Sequence, residues 1–306
     1  MIQSQTNQLR ATLIGTTAVL MWATLALFTK FSGDIPPFQL TAMSFSIAFF
    51  IGVGWWWRRG ENVLVRLRLP PAVWLTGILG LFGYHFFYFI ALQNAPAIEA
   101  SLIAYLWPLL IVLLATIILG ETLRWFHLVG ALAGFVGAGL LVTKGQSLAF
   151  EAQYLWGYLA ALACAFIWSS YSVVSRKFGA VPTDAVGGFC GATAMLALVC
   201  HLAFEQTVWP VGSQWLAILC LGLGPIGAAF FTWDYGVKRG NIKVLGAFSY
   251  AAPLLSSILL VLFGLADATW VIAIACLFIV GGAVLAAGDF FKATGQATEP
   301  IAVENL

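Results

Sequence analysis

The stretch Tyr105-Leu106-Trp107-Pro108-Leu109-Leu110 lies inside a long apolar run and places a proline in its middle. Proline has no backbone N–H and crowds the preceding turn, so a helix at this position is expected to kink or loosen. In a lipid bilayer such a break is tolerated only where protein or a water-filled cavity satisfies the freed carbonyl. The same pattern returns as Tyr250-Ala251-Ala252-Pro253-Leu254-Leu255. We therefore predict that two broken helices meet at the functional centre of the molecule.

The composition around these two stretches is that of a membrane protein. Of the 306 residues, 61% are hydrophobic and only 8% are charged, which is too little charge to cover a soluble domain of this length. The five cysteines fall inside apolar runs without a CxxC or metal-ligand spacing, so no disulfide framework, metal or cofactor is predicted. The polar N-terminus lacks the basic segment, short apolar core and cleavage site of a signal peptide, so none is expected.

The fold class follows from the number of apolar runs. About 20 consecutive apolar residues span a bilayer. Ten such runs occur, near residues 11–31, 37–57, 72–92, 97–119, 125–143, 154–175, 185–204, 213–236, 243–264 and 269–288. The prediction is an all-α polytopic membrane protein with ten transmembrane helices and short connections. The polar segment 290–306 is predicted to be a disordered tail.

The basic residues predict the orientation of the chain. Membrane proteins carry an excess of lysine and arginine in their cytoplasmic loops. With the N-terminus inside, twelve of the 14 basic residues fall on the cytoplasmic side and only Lys30 and Lys144 fall outside. Both termini are therefore predicted to be cytoplasmic, with an even number of spans between them.

The chain also repeats itself. Ordered matches recur in three helix pairs: Trp22 with Trp168 at a separation of 146 residues, Leu79-Gly80 with Leu223-Gly224 at 144, and Tyr105 and Pro108 with Tyr250 and Pro253 at 145. Each copy holds five helices, and because five is odd the second copy enters the membrane inverted. Inverted repeats are an architecture of secondary transporters that work by alternating access. We predict a first repeat over 1–148, an inverted second repeat over 149–289 and a cytoplasmic tail over 290–306.

Two groups of motifs resemble a known family. The pattern Pro108 … Leu119-Gly120-Glu121-Thr122-Leu123, followed by Gly130, Gly134 and Gly137, resembles that of the drug/metabolite transporter superfamily in its EamA-type branch. The aromatic stretches Tyr84-His85-Phe86-Phe87-Tyr88 and Tyr105-Leu106-Trp107-Pro108 are similar to those of the YddG-type aromatic amino-acid exporters. The resemblance covers nearly the whole chain, but the second repeat departs from the Gly-Glu pattern with Gly264-Leu265-Ala266-Asp267.

The resemblance implies a function. It implies a secondary transporter that exports aromatic and other neutral amino acids, and related metabolites, across the bacterial inner membrane. The implied partners are a small-molecule substrate and the lipid bilayer, with no nucleic acid, no cofactor and no enzymatic activity. The oligomeric state is left between a monomer and a weak homodimer.

Aromatic and polar residues near the breaks are candidates for the substrate cavity. His85 is the only histidine placed well inside a span, at a depth similar to that of Tyr105. Intramembrane ionisable side chains are functional candidates by default, although a neutral histidine bonded to a neighbouring helix is the alternative. Tyr84 and Tyr88 flank His85, and an interfacial aromatic belt is the alternative for them. Their expected counterparts, Ala228, Ala229 and Thr232, place this aromatic wall in the first repeat alone.

The remaining candidates are aromatic or lie beside the prolines. Trp22 and Trp168 hold matching mid-span positions, where a cavity or simple core packing could accommodate their indole N–H groups. The full set predicted to line the cavity is Trp22, Tyr84, His85, Tyr88, Tyr105, Trp107, Pro108, Trp168, Tyr171, Ser249, Tyr250 and Pro253. Trp107 lacks a partner in the second repeat, so we predict that Trp107 selects the cargo.

The charged residues restrict the mechanism. No Asp or Glu is expected at mid-span, and Asp234 is placed near the cytoplasmic end of the eighth helix, beside Lys238 and Arg239. Glu121 is expected to lie close to Arg124, and Glu99 to be solvated. Without an acidic relay, the predicted mechanism is a rocking motion about Pro108 and Pro253.

Two rival functions remain at this stage. The first keeps the fold and exports lipophilic cations or drugs, which aromatic walls also suit. The remote one is an intramembrane enzyme, which the lack of GxSxG, HExxH and paired intramembrane carboxylates disfavours.

Overall fold

The computed structural model describes residues 2–148 and 150–287. Within these residues the regular structure is entirely helical. The predicted tail 290–306 lies outside the described residues. The α-helices are α1 Ile2–Trp22, α2 Leu25–Phe31, α3 Pro37–Arg58, α4 Val63–Arg66, α5 Pro71–Ile78, α6 Tyr84–Asn94, α7 Ala97–Ala104, α8 Trp107–Leu119, α9 Trp125–Thr143, α10 Leu155–Lys177, α11 Ala185–Phe204, α12 Gln214–Leu223, α13 Ala229–Arg239, α14 Ile242–Phe248, α15 Ala251–Leu262 and α16 Trp270–Ala286.

Several of these helices combine into longer apolar rods. Across the described ranges, nine rods are long and apolar enough to cross a membrane: Thr6–Phe31, Pro37–Arg58, Pro71–Asn94, Ala97–Leu119, Trp125–Thr143, Ala152–Lys177, Ala185–Phe204, Gln214–Arg239 and Ile242–Leu262. The tenth predicted run appears as the shorter apolar helix α16. The chain is thus an all-helical polytopic membrane protein.

The proline breaks fall before the prolines. α7 ends at Ala104 and α8 begins at Trp107, which makes Pro108 the second residue of a new helix. Proline is favourable there because the N–H groups of a first helical turn lack intrahelical partners in any case. The second break is similar: α14 ends at Phe248, α15 begins at Ala251, and Pro253 lies in the first turn.

Two π-helical segments interrupt other spans. Leu79–Gly83 joins α5 to α6, and Gly224–Ala228 joins α12 to α13. The two segments are separated by 145 residues, the same separation as Tyr105 and Tyr250. π segments occur mostly as single turns inside α-helices and are frequent at functional sites. Neither segment was predicted from the sequence.

The spans pack in pairs through small residues. Gly52 on α3 approaches Gly187 on α11, and Gly15 on α1 approaches Gly236 on α13 so closely that a Cβ on any of them would need the partner to move. In lipid, such small residues let helix backbones come together where the hydrophobic effect provides no driving force. Gly130 and Gly137 on α9 likewise face α16, so these predicted contact glycines are used inside the chain.

Candidate functional site

Tyr250 joins the two proline breaks. Leu109, the third residue of α8, donates its backbone N–H to the Tyr250 hydroxyl at 3.1 Å. This N–H belongs to the first turn of the helix, where no earlier carbonyl is available within α8. Tyr250 is fully buried, and its ring packs on Gly134 of α9. The tyrosine therefore caps a helix of the other half of the chain.

Four tryptophans from four separate helices meet beside this joint. Trp22, Trp107, Trp168 and Trp233, which we call the tryptophan cluster, come from α1, α8, α10 and α13. Their ring centroids are 5.0 Å apart for Trp22 and Trp233, 5.7 Å for Trp22 and Trp168, and 6.2 Å for Trp107 and Trp168. Most pairs are edge-to-face or tilted, which is the arrangement that the aromatic quadrupole favours.

The indole N–H groups of the cluster divide into two kinds. Trp22 donates to the Pro225 carbonyl of the second π segment at 3.1 Å, and Trp233 donates to the Ser172 hydroxyl at 3.0 Å. Among the described residues, the N–H groups of Trp107 and Trp168 have no hydrogen-bond partner, and neither nitrogen is sealed from open space. Buried indole N–H groups usually find a partner. These two donors are therefore available to a bound molecule.

His85 lies on the wall next to the cluster. Its Nδ1 is 2.7 Å from the Leu81 carbonyl in the first π segment. A carbonyl can only accept, so Nδ1 carries the proton and Nε2 of the neutral ring is an acceptor. The ring contacts Phe45 and Tyr84 edge-on, with centroids 5.2 and 5.3 Å away. The histidine is thus held in one tautomer, with Nε2 free for an external donor.

The tyrosines continue the same wall. Tyr84 stacks on Tyr88 with centroids 6.0 Å apart and planes 10° apart, and its ring is 5.7 Å from Trp168. The Tyr88 hydroxyl lies 3.1 Å from the Ser101 hydroxyl on α7. Tyr105, in the break between α7 and α8, is close enough to Tyr84 and Tyr88 for their hydroxyls to interact electrostatically. The wall and the cluster together make one aromatic surface with several polar atoms.

Other candidates from the sequence lie elsewhere. Ser249 is fully buried and donates to the Leu245 carbonyl one turn earlier, and Tyr250 and Pro253 pack in the α15 core. The Tyr250 side chain is directed toward α8 and α9, where its hydroxyl meets Leu109 and its ring packs on Gly134. Tyr171 contacts Trp168 with ring centroids 5.2 Å apart, and it also lines a small cavity with Asp234 and Lys238.

The sequence register missed part of the surface. The separation of 145 between the two π segments matches His85 with Phe230 and Tyr88 with Trp233, one residue away from the predicted Ala229 and Thr232. Phe230 stacks on Phe45 at 5.5 Å and touches Trp22 and Trp168. The prediction that the aromatic wall belongs to the first half alone was wrong. Extending the 145-residue separation of Tyr105 and Tyr250 back to this span would have revealed both residues.

One end of the molecule is closed by an ionic cluster. Glu121, after α8, pairs with Lys243 at 3.2 Å and with Arg176 at 3.5 Å. Lys243 also donates to the Thr122 carbonyl at 2.9 Å, and Arg176 to the Gly240 carbonyl at 2.9 Å. Glu121 thus pairs with residues of α10 and α14, because the broken ninth span brings α14 against α8.

The opposite end is arranged differently. α7 packs on α6, α9 and α10, and α15 packs on α1, α2, α9 and α16, so the two do not form an interface like that of α8 and α14. Glu99 on α7 is buried at 7% exposure and accepts a hydrogen bond from Tyr158, which contradicts the expectation that Glu99 is solvated. Its partner comes from α10, which the sequence of α7 does not reveal.

Comparison with known proteins gives consistent matches. The EamA-like transporter family matches residues 9–143 and, a second time, residues 155–288. The chain is 55% identical to the aromatic amino acid exporter YddG of Ancylobacter novellus over 90% of this chain and 96% of that protein. It is 26% identical to the aromatic amino acid exporter YddG of Escherichia coli, over 90% and 96% respectively. A crystal structure 54% identical in sequence superposes with a TM-score of 0.87, covering 92% of this chain and 99% of that one.

Proposed function

The chain belongs to the EamA-like transporter family, and from this premise we propose that it exports aromatic and other neutral amino acids across the bacterial inner membrane. The similarity to exporters of aromatic amino acids supports the substrate class. The observation that carries the proposal is the aromatic surface, where two indole donors and the His85 Nε2 acceptor have no partner among the described residues. Aromatic rings offer a large apolar contact area to a substrate side chain.

The chemistry of this surface suits a zwitterion better than a cation. The indole N–H groups of Trp107 and Trp168 can donate to a carboxylate, and His85 Nε2 can accept from an ammonium group. Asp234, which follows Trp233 in the chain, is already paired with Lys238, so its charge is balanced before a lipophilic cation arrives. An amino acid with its two opposite charges needs no counter-ion.

We propose that the chain forms ten transmembrane spans in two repeats, and that this architecture transports the substrate. The double family match to 9–143 and 155–288 supports two units, 1–148 and 149–289. The recurrence of a π segment and of a broken helix in each half supports their equivalence. Five spans per unit make the second unit inverted, and the excess of basic residues on one side supports cytoplasmic termini.

The two ends of the molecule then correspond to two gates. In the proposed orientation, the ionic cluster of Glu121, Arg176 and Lys243 lies on the cytoplasmic side. There α8 and α14 are packed together, with Gly246 against the Pro108 carbonyl. In the proposed mechanism, this interface closes the path between the aromatic surface and the cytoplasm. Export requires these interfaces to open while α7 and α15 close.

Transport by reconstituted protein tests the proposal. Proteoliposomes are loaded with labelled tryptophan, phenylalanine or threonine, or with tetraphenylphosphonium as a lipophilic cation, and efflux is followed. We expect amino-acid efflux by the wild type. Combining Trp107→Phe with Trp168→Phe should raise the half-saturation concentration by about a hundredfold, because hydrogen bonds to charged groups contribute about 1.5–3 kcal/mol each and about 1.4 kcal/mol corresponds to a factor of ten. Trp125→Phe, on the exposed surface, is the matched control. Efflux of the cation without any amino acid contradicts the proposal.

A further inference from the structure

A small polar cavity lies under the tryptophan cluster, toward the cytoplasmic end. Along α10 the chain runs from Trp168 to Tyr171 and Ser175, and along α13 from Trp233 to Asp234 and Lys238. Ser175 and Lys238 line the cavity, together with Tyr171 and Asp234. Its space is sufficient for about one water molecule. The rings of Trp168 and Trp233, which precede these residues in their helices, stack with centroids 6.3 Å apart.

The cavity contains an ion pair inside a membrane span. Lys238 Nζ is 2.9 Å from Asp234 Oδ2 and also donates to the Val181 carbonyl at 3.1 Å. The Asp234 and Lys238 side chains are only 1% and 5% exposed. The sequence placed Asp234 at the helix end beside Lys238 and Arg239, but packing of α13 against α1 and α10 encloses it. Charged groups in spans are costly and are usually retained for function.

The polar groups of this cavity are incompletely satisfied. Asp234 Oδ2 meets Lys238 without hydrogen-bond geometry. The Tyr171 hydroxyl lies near Ser175 but makes no well-formed hydrogen bond within the described residues, although Tyr171 is only 3% exposed. Thr183, Arg239 and Ser175 are the other polar neighbours of the pair and of Tyr171. A buried hydroxyl without a well-formed partner is available to a bound water or ligand.

We propose that Asp234, Lys238 and Tyr171 form a cytoplasm-facing subsite for the zwitterionic backbone of an α-amino acid. The inference rests on the proposed function. Asp234 is complementary to the ammonium group, Lys238 to the carboxylate, and the Tyr171 hydroxyl to either carboxylate oxygen. The apolar lining residues Phe178 and Phe189 contact the substrate side chain.

The geometry also gives the subsite an order of events. With the cytoplasmic end closed, Asp234 and Lys238 neutralise each other and leave room for water alone. When that end opens, an incoming backbone takes the place of the direct ion pair, so neither charge is left alone in either state. The substrate then passes between Trp168 and Trp233 to reach Trp107 and His85.

The test compares the two faces of the transporter in oriented proteoliposomes. The substrate concentration that gives half-maximal transport is measured from each face for three compounds. These are phenylalanine, phenethylamine, which lacks the carboxylate, and 3-phenylpropionate, which lacks the amine. We expect Lys238→Met to raise the cytoplasmic-face value for phenylalanine about tenfold, as loss of a charge-assisted contact predicts, and to abolish its advantage over phenethylamine. Asp234→Asn should abolish the advantage over 3-phenylpropionate. Outer-face values should change less than about twofold, within the scale of changes remote from the site.

Two controls separate recognition from folding. Glu61→Gln removes half of an ion pair with Arg66 that lies outside the spans, and we expect wild-type values at both faces. The reciprocal pair Asp234→Lys with Lys238→Asp keeps both charges, and we expect near-wild-type thermal stability with poor cytoplasmic-face recognition. Unchanged selectivity in Asp234→Asn and Lys238→Met, or equal losses at both faces, overturns the subsite while wild-type amino-acid transport stands. Absence of amino-acid transport by the wild type overturns the proposed function itself.

Discussion

Tyr105 and Tyr250 hold corresponding positions but have different surroundings. Tyr250 is sealed in the core and accepts the N–H of Leu109, whereas Tyr105 is half-buried and its hydroxyl makes no hydrogen bond within the described residues. Gly134 provides the space under the Tyr250 ring, while the residue 145 positions later is Ile279. One tyrosine is therefore a structural cap and the other is available to the cavity.

Removing each hydroxyl distinguishes the two tyrosines. Tyr250→Phe leaves the buried N–H of Leu109 unpaired, and we expect the protein to be less stable by about 1–3 kcal/mol, which is the desolvation cost of such a group. Tyr105→Phe leaves no buried N–H unpaired, so its free energy of unfolding should stay within about 0.5 kcal/mol of the wild-type value. Thermal unfolding in detergent measures both. Equal destabilisation by the two substitutions would show that Tyr250 is not a helix cap.

At this scale the sequence predicted which residues are near the site better than which way they point. Trp22, Trp168, His85 and the flanking tyrosines are brought together as the sequence suggested. Ser249 and Tyr250 were grouped with them because they adjoin a proline, yet their direction is set by the turn between α14 and α15. That direction depends on the packing of α14 against α8, which adjacency in the chain does not encode.

At the scale of elements, the two π segments are the least predictable feature. The apolar runs that contain them read as continuous spans, since hydropathy is the same for α and π turns. In the first segment, Gly80 lies directly against the ring of Tyr171, with no room for a Cβ, whereas a Cβ on Gly83 would meet Ile167 at an ordinary 3.7 Å. The π segment Leu79–Gly83 thus lies where the chain makes a close contact with α10, and this contact is not visible in the hydropathy of the sequence.

Alanine at these two glycines tests the role of that contact. Gly→Ala stabilises a helix interior by about 1 kcal/mol when nothing is in the way. We expect Gly83→Ala to be neutral or stabilising, and Gly80→Ala to lose about 1–3 kcal/mol through overpacking against Tyr171. Thermal stability in detergent and phenylalanine efflux are the readouts. Equal thermal stability and efflux of the two variants would mean that the Tyr171 ring moves aside at little cost and does not fix the π segment.

At the scale of the whole molecule, the two proposed units differ in the contacts at their ends. The ionic cluster closes one end by tying α8, α10 and α14 together, and nothing equivalent joins α7 and α15 among the described residues. In the proposed mechanism, the equally spaced π segments and broken helices are the moving parts of the two halves. The ion pairs of Glu121 then stabilise closure at one end. The prolines in the sequence predicted the two broken helices, but the partners of Glu121 depend on long-range packing.

Inverted topology makes a direct prediction about corresponding loops. Asn62 lies in the exposed loop after α3, and Val211 lies in the exposed loop after α11, the corresponding span of the second unit. If the units are inverted, these loops face opposite sides of the membrane. In a variant whose five native cysteines are replaced by serine or alanine, Val211→Cys should react with a membrane-impermeant maleimide in intact cells, whereas Asn62→Cys should react only after permeabilisation. Labelling of both from the same side would rule out the inverted arrangement, and reversed labelling would place the ionic cluster at the outer gate.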